Sequence, residues 1–463
     1  MKPIIFFVLA LCFVSHAESQ QFQGYRSGNY TGVNGVFWNP AHIADSKYRF
    51  DVNLFSISSF VGNNNASFKL KDISQSFDVD SLESQFLGKN AGPSSGMILT
   101  DIHGPSVMFN VGKNSFALTT RGRIMANVVD IDGKLIDKLS SDFENDPELP
   151  YSINSSENMR LSANAWTEFG VSYAREIYSE GNHFLKGGIT LKYLAGAANA
   201  YTNINSFNAT IEEDLLSQDA YLSNTTGRLG IGIAGVSLSD FDVNDLTKME
   251  SRGFGGDLGF VYEYRPDAKG ANSNPYKLKL GVAVLDIGKI RYTKDPVRSG
   301  TYDVNITGNE RFYLNELDNL DIDDYNEFFA SRPQFFNPSA ANAESEYNVS
   351  LPSTIHLDAD YNISRNLFVS LAGQVPLSSN EEKVFNNQFY SAVTLTPRYE
   401  GRVFGFYLPL NYNSLTSFNA GASLRVGPFF IGSGSVLTAL LSDSKQADFH
   451  IGFRFGGLKK SRN

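Results

Sequence analysis

The mature chain lacks cysteine. Its single cysteine, Cys12, lies in an N-terminal segment with the features of an export signal: Lys2, an apolar core over residues 4–14, and a small-x-small sequence at residues 15–17. We interpret residues 1–17 as a cleaved signal peptide, which leaves no disulfide, no thiol nucleophile and no thiolate metal site. A secreted eukaryotic protein of this size would usually carry disulfides, so their absence favours a bacterial envelope.

The chain also lacks long hydrophobic runs. After the first 20 residues, no apolar run is long enough for a transmembrane helix. Instead, apolar and polar side chains alternate, for example over residues 417–427, and a period of two indicates a β-strand with one apolar face. The pattern recurs as far as residues 449–455 in segments of about ten residues, long enough to cross a bilayer as tilted strands.

Such strands can cross lipid only within a closed sheet, because every backbone polar group must be paired there. The predicted fold class is therefore all-β: an integral outer-membrane antiparallel β-barrel of about 14 strands. We predict strands over residues 48–61, 105–112, 115–128, 161–178, 183–201, 255–265, 276–292, 354–363, 367–375, 389–399, 402–410, 417–426, 429–433 and 447–455.

The predicted connections alternate in length. Those after even-numbered strands are short, as in periplasmic turns, except for a longer one near residues 266–275 after the sixth strand. Those after odd-numbered strands are long and polar, as in external loops. The long ones cover residues 62–104, 129–160, 202–254, 293–353 and 376–388. Residues 229–238 allow a further strand, and residues 130–143 and 310–329 have the spacing of short helices capping the barrel mouth.

Basic residues are fewer than acidic residues in this chain. The chain has 39 Lys and Arg against 49 Asp and Glu, a formal net charge of −10. Binding to nucleic acid needs a basic face, so the charge argues against a nucleic-acid partner. Aromatic residues, in contrast, are abundant, with 36 Phe and 22 Tyr. Aromatic girdles at the two membrane interfaces would explain them.

Charged side chains fall on the face opposite the apolar one. An Arg or Lys facing lipid at mid-bilayer costs about 2–4 kcal/mol, so this face must line the lumen. The predicted lumen-facing charged residues are Arg121, Glu168, Lys186, Lys192, Glu263, Asp358, Arg425 and Arg454. Their mixed signs leave two alternatives open, a hydrated conduit and an interior filled by ion pairs.

Catalytic, nucleotide-binding and metal-binding motifs match this sequence only in part. Residues 92–96 match the serine-hydrolase pattern G-x-S-x-G, but Ser94 lies in a Gly- and Pro-rich segment without the strand–turn–helix elbow that the motif needs. Residues 230–235 match G-x-G-x-x-G without a βαβ unit. The histidines lack zinc-type spacing, and the acidic residues 318–327 lack the pattern of a calcium loop. We predict no catalytic residue, no cofactor, no metal site and no enzyme activity.

Several blocks resemble known barrels. Residues 31–41 (Thr-Gly-Val-Asn-Gly-Val-Phe-Trp-Asn-Pro-Ala), with residues 50–54, 186–193, 261–266 and 395–400, resemble a Bacteroidota family of predicted outer-membrane barrels of unassigned function. Some of its members carry an OmpA-like domain. A more distant similarity is to the outer-membrane fatty-acid channel family, whose N-terminal plug contains Asn-Pro-Ala. That resemblance implies that Asn39, Pro40 and Ala41 belong to a hatch in the lumen.

We therefore expect a signal peptide at 1–17, a periplasmic plug segment at 18–47, a barrel at 48–456 and a short periplasmic tail at 457–463. The plug region is rich in Gly and Asn, and few apolar anchors are expected in it. The expected partners are outer-membrane lipid, the barrel-assembly machinery, and either a small-molecule ligand or an envelope protein. The predicted function is porin-like passage or capture of a small molecule, hydrophobic ones included, across the bacterial outer membrane. The alternative is a non-transporting scaffold barrel that binds other envelope proteins.

Overall fold

The computed structural model of the chain describes residues 21–69, 93–132, 149–155, 159–237, 242–266, 276–317, 320–321, 323–339, 345–377 and 383–459. Within these ranges the strands join in one antiparallel sheet. None of the helices described combines the length and the apolar character of a membrane span.

The strands in chain order are β1 (Tyr48–Asn63), β2 (Pro93–His103), β3 (Ser106–Val111), β4 (Asn114–Asp132), β5 (Tyr151–Ser155), β6 (Met159–Glu180), β7 (His183–Glu213), β8 (Ala220–Gly235), β9 (Ser251–Tyr264), β10 (Leu278–Thr293), β11 (Gly300–Ile306), β12 (Phe312–Tyr313), β13 (Phe336–Pro338), β14 (Glu346–Ser350), β15 (Thr354–Ser364), β16 (Leu367–Pro376), β17 (Ala392–Glu400), β18 (Phe404–Tyr407), β19 (Leu410–Asn413), β20 (Ser417–Ala420), β21 (Ala422–Val426), β22 (Phe429–Ser433) and β23 (Gln446–Leu458). Short 3-10 helices cover Tyr25–Ser27, Gly32–Phe37, Pro40–Ile43, Val243–Thr247 and Leu314–Leu317, and short α-helices cover Tyr325–Ala330 and Val436–Leu441.

The sheet closes on itself. The last strand, β23, pairs with β1 from Leu458 opposite Tyr48 to Gln446 opposite Gly62. Four of the wall strands are interrupted, so β2 continues into β3, β14 into β15, β18 into β19 and β20 into β21. With these counted once, the wall has 14 strands, which confirms the predicted fold class.

The alternation of side chains explains why the sheet forms a membrane barrel. In β17, Thr394, Thr396 and Arg398 are buried on the lumen side, whereas Leu395 and Tyr399 are exposed on the outside. Neighbouring strands repeat this pattern, so apolar and aromatic side chains cover the outer surface. A closed antiparallel barrel with such an apolar exterior is of the outer-membrane type.

Two long connections differ from their predicted structure. Residues 62–104, predicted as a loop, contain β2, which extends the second wall strand beyond the predicted 105–112. Pro105 lies in the interruption between β2 and β3 and has no N–H to donate to the sheet. Because proline is unusual within a strand, the sequence did not show that β2 and β3 form one wall strand. Residues 202–254, also predicted as a connection, contain the end of β7 and all of β8. The predicted helices at 130–143 lie mostly outside the described residues.

The C-terminal part of β7 continues past its pairing with β9 and pairs with β8 instead, in a part of the sheet that lies beyond the wall. β5 pairs with the upper part of β7, β8 pairs with β7 and with β11, and β13 pairs with β11. This extramembrane sheet has its own apolar core, in which Val304, Phe312, Phe329 and Phe336 are buried. At the opposite end of the barrel, β23 continues to Leu458, into the segment predicted as a tail.

Candidate functional site

Residues 21–47, here called the plug, lie inside the barrel at the end where the connections are short. Phe22, Tyr25 and Trp38 form a buried cluster with Phe430 of the wall. The Tyr25 ring stacks on the Phe430 ring with 3.7 Å between the centroids. The plug is therefore anchored by aromatic contacts, in contrast to the few apolar anchors expected from its composition.

The structure places Asn39, Pro40 and Ala41 in the plug, at the start of a 3-10 helix. The Asn39 side chain caps this helix, because its Oδ1 accepts a hydrogen bond of 2.9 Å from the Ala41 N–H. Its Nδ2 donates to the carbonyl oxygens of Phe260 and Val282, at 3.2 and 3.3 Å. Asn39 thus ties the plug to two adjacent wall strands, β9 and β10.

Glycines in the wall make room for this turn. A Cβ atom at Gly259 would lie 2.1 Å from Asn39 Oδ1, and one at Gly188 would lie 2.5 Å from the carbonyl carbon of Pro40. Both distances are far below van der Waals contact. The close approach of the plug to the wall therefore depends on these two glycines.

Charged wall residues also bind the plug. Asp51 accepts a hydrogen bond of 2.8 Å from the Val33 N–H and forms a 2.6 Å ion pair with Arg454. Arg454 Nε donates to the Tyr25 hydroxyl at 2.7 Å. Burial raises the pKa of Tyr25 to about 12, although Arg454 opposes the shift, so the hydroxyl remains protonated. Lys186 Nζ donates to the Ala44 carbonyl at 2.9 Å.

A charged cluster lies in the middle of the lumen. Arg121 pairs with Asp101 at 2.6 Å, Arg123 with Asp286 at 2.8 Å and with Glu168 at 3.2 Å. Lys192 lies 2.6 Å from Asp286, 2.8 Å from Asp257 and 3.4 Å from Glu168. We call these residues the central cluster: Asp101, Arg121, Arg123, Glu168, Lys192, Asp257 and Asp286. All are buried, and six consecutive strands of the wall supply them, β2, β4, β6, β7, β9 and β10.

The other end of the lumen is occupied by residues 383–391, here called the inserted loop. Asn127 binds it twice, since its Oδ1 accepts from the Gln388 N–H and its Nδ2 donates to the Gln388 carbonyl, both at 3.1 Å. Phe389 is buried with Trp166, Tyr292 and other wall side chains. The segment was predicted as an external connection leading into a strand at 389, whereas the strand begins at Ala392.

The predicted lumen-facing residues occupy different levels. Arg121, Glu168 and Lys192 meet in the central cluster. Lys186 pairs with Glu263 at 3.4 Å beside the plug. Arg425 donates to the carbonyls of three residues in the turn at 401–403. Asp358 lies on β15 opposite Gly281, away from the central cluster.

Sequence reasoning missed several acidic partners. Asp286 lies in an irregularity of β10 between Val284 and Ile287, where its φ is 59°. Simple alternation from Lys279 does not place its side chain in the lumen. Asp101 fell in a segment predicted as a loop. One feature of the sequence could have identified these residues, namely an isolated Asp within an apolar strand pattern. Because an unpaired carboxylate facing lipid would be costly, such an Asp must face the lumen and have a partner there.

The motif residues have structural positions. Ser94 lies in β2 and its hydroxyl accepts a hydrogen bond of 2.6 Å from Asn65, so no nucleophile elbow surrounds it. Residues 230–235 form the end of β8. Within the described ranges, no group of His, Asp or Glu side chains is arranged to hold a metal ion.

We expect Arg398→Met to destabilise the barrel by about 3 kcal/mol, because it would leave a buried carboxylate without its main partner. Arg398 is fully buried and binds Asp360 through two hydrogen bonds of 2.7 and 2.8 Å. The matched control is Arg228→Met, whose partner Asp303 lies 2.8 Å away at the exposed surface. This control should stay within about 0.5 kcal/mol of the wild type. Urea unfolding of the detergent-solubilised protein measures the free energy of unfolding of both variants. Equal decreases would contradict the expectation that the buried ion pair stabilises the barrel more than the exposed one.

Comparison with known proteins gives a family and several distant structures. Residues 40–434 match the model of a family of unknown function, DUF5723. No curated protein matches the sequence.

Three solved barrels illustrate the structural similarity. A Pseudomonas aeruginosa FadL homologue aligns with 10% identity and a TM-score of 0.41, covering 95% of this chain and 97% of the other. The Ralstonia pickettii toluene transporter TbuX aligns with 12% identity and a TM-score of 0.38, covering 92% and 94%. The translocator domain of the Neisseria meningitidis autotransporter NalP gives 8% identity, a TM-score of 0.31 and 88% of each chain.

Proposed function

The chain belongs to this family of unknown function, and we propose that it is a gated channel of the bacterial outer membrane that captures a small molecule, hydrophobic ones included, and passes it across. The plug and the inserted loop are its two gates. The sequence resemblances to a Bacteroidota barrel family and to the fatty-acid channel family remain predictions.

The observation that carries this proposal is how the lumen is closed. A barrel of about eight strands is filled by its own side chains, whereas one of 16–18 strands leaves an aqueous channel. This wall has 14 strands and encloses two segments that are not part of it, one at each end. Either segment can leave the lumen without breaking a wall hydrogen bond between strands.

The bonds that hold the gates favour reversible opening. The inserted loop forms no β-strand and is held largely by side-chain amides, such as Asn127 and Asn199. The wall residues that bind the plug also bind each other, as in the pair of Arg454 with Asp51. Water can therefore replace the plug without leaving these wall charges unpaired.

The second candidate is the scaffold barrel. The observation in its favour is the central cluster. Its buried ion pairs link wall strands that are not direct neighbours, such as β4 and β10, and would stiffen a permanently closed barrel. The extramembrane sheet would then be the surface that binds an envelope protein. The two functions differ in one measurable respect, because only the channel opens its lumen to water in the native state.

Cysteine labelling tests this difference, since the mature chain has no cysteine of its own. Ser370 faces the lumen, is buried, and its hydroxyl has no hydrogen-bond partner among the described residues, so Ser370→Cys is a mild change. We expect a membrane-impermeant maleimide to label this cysteine slowly in the folded protein, at a rate set by gate opening. Mass spectrometry of the intact protein measures the labelled fraction over time.

Ser217→Cys is the positive control, because Ser217 is exposed in the turn between β7 and β8. It should be labelled without delay. If Ser370→Cys reacts only after unfolding while Ser217→Cys reacts at once, the lumen never opens and the scaffold function is favoured.

A further inference from the structure

Arg123 is an unusual member of the central cluster. Its side chain is fully buried on β4, and its Nη1 pairs with Glu168 and Asp286. Among the described residues, however, its Nε and Nη2 have no hydrogen-bond partner. Buried guanidinium donors without acceptors are costly, so they indicate a position where an acceptor belongs.

The surroundings of Arg123 are aromatic. Its guanidinium carbon lies 4.8 Å from the centre of the Trp166 ring and 5.6 Å from that of the Phe389 ring. Trp166 is fixed in the wall, and its indole N–H donates to Glu168 at 2.9 Å. Phe389 belongs to the inserted loop and is the only one of these partners that can leave without disturbing the wall.

The charge of the site argues against an anion. The central cluster has four carboxylates, on Asp101, Glu168, Asp257 and Asp286, and three cations, on Arg121, Arg123 and Lys192. A further negative charge in this buried region would be repelled by the excess carboxylate. The free donors of Arg123 are therefore better matched by a neutral acceptor, such as a carbonyl oxygen.

From these observations we propose that Arg123 and Trp166 form a binding site for a neutral aromatic molecule that carries a carbonyl oxygen, and that the Phe389 ring occupies this site when the molecule is absent. The ligand ring takes the place of the Phe389 ring beside Trp166, and its oxygen accepts hydrogen bonds from Arg123. Exchange of one ring for another moves the inserted loop, which couples binding to the outer gate. This inference assigns a substrate class to the proposed channel, and it therefore rests on the proposed function.

Three ligands of nearly equal size separate the chemical alternatives: acetophenone is neutral with a carbonyl, ethylbenzene lacks the oxygen, and benzoate is an anion. Isothermal titration of the mature protein in nanodiscs, with empty nanodiscs as the reference, measures their dissociation constants. We expect acetophenone to bind at least about tenfold more tightly than ethylbenzene, because only it satisfies the free donors. Benzoate should bind more weakly than acetophenone.

Two loop variants test the exchange of rings. Phe389→Ala removes the ring that the ligand must displace, so acetophenone should bind about tenfold more tightly than to the wild type. Phe385→Ala is the matched control, because it removes a ring of the same loop that packs against Tyr347, with 4.9 Å between centroids, instead of against Arg123. It should change the affinity less than about threefold. Arg123→Met, if it folds, should abolish the preference for acetophenone over ethylbenzene.

Equal affinities for acetophenone and ethylbenzene, tighter binding of benzoate, or equal effects of the two loop variants would each overturn the proposal. Equilibrium binding does not require the plug to move. A protein that binds acetophenone as expected but never exposes a cysteine at position 370 would keep this site and lose the channel function.

Discussion

Deletion of residues 448–455 should abolish insertion of the barrel into the membrane. These residues are the centre of β23, which pairs with β1 on one side and with β22 on the other. Their loss would leave two strand edges in lipid with unpaired backbone groups, each of which costs several kcal/mol. It would also remove Arg454, the partner of Asp51. Cell fractionation and heat-modifiable migration on gels measure the folded, membrane-inserted fraction, which should fall to background.

The control for this deletion must spare the wall. Leu458 still pairs with Tyr48, and the Lys459 N–H donates to the Lys47 carbonyl at 2.9 Å. Removal of residues 460–463, which keeps both of these contacts, should therefore leave insertion close to the wild-type level. If the two truncated chains inserted equally, β23 would not be the strand that closes the barrel.

The strand pattern was largely predictable because lipid imposes it. A lipid-facing position must be apolar, so Leu395 and Phe406 point outward and their neighbours inward, and this alternation is visible in the sequence. The strand number followed from the same rule together with the alternation of short and long connections. Local irregularities in strand pairing were not predictable from the alternation. One lies near Asp286, and another lies between Asn53 and Phe55, where the pairing with β23 shifts.

The contents of the lumen were less predictable, since they depend on contacts between residues far apart in sequence. The plug has a Gly- and Asn-rich composition, yet Phe22, Tyr25 and Trp38 anchor it in the wall. Nothing local marks these three side chains as buried, because their partner Phe430 lies near the other end of the chain.

The burial of the inserted loop was even less predictable from the sequence, for the same reason. Asn386, Asn387 and Gln388 have the composition of an external loop, and their partners Asn127 and Ser162 are more than 200 positions away. Buried amides need such partners, and a pattern of single residues does not identify them. The charges lining the lumen were predicted as a set, but which of them pair with each other was visible only in the structure.

The claim that two removable segments close a wide barrel predicts a non-additive result in planar bilayers. The barrel lacking residues 21–47 retains the inserted loop, and the barrel lacking residues 383–391 retains the plug, so each should conduct little. The barrel lacking both should show stepwise ionic currents. It should still fold, because pairs such as Arg398 with Asp360 lie entirely within the wall. Its conductance should vary with salt, as expected for a lumen lined with charges.

Single-channel conductance of the doubly deleted barrel is the most direct test. The wild type and the two single deletions serve as matched controls, and heat-modifiable migration confirms that each variant is folded. Stable current steps confined to, or much larger in, the double deletion are the result that we predict. A folded double deletion that remains electrically silent would contradict the channel and leave a permanently filled scaffold barrel.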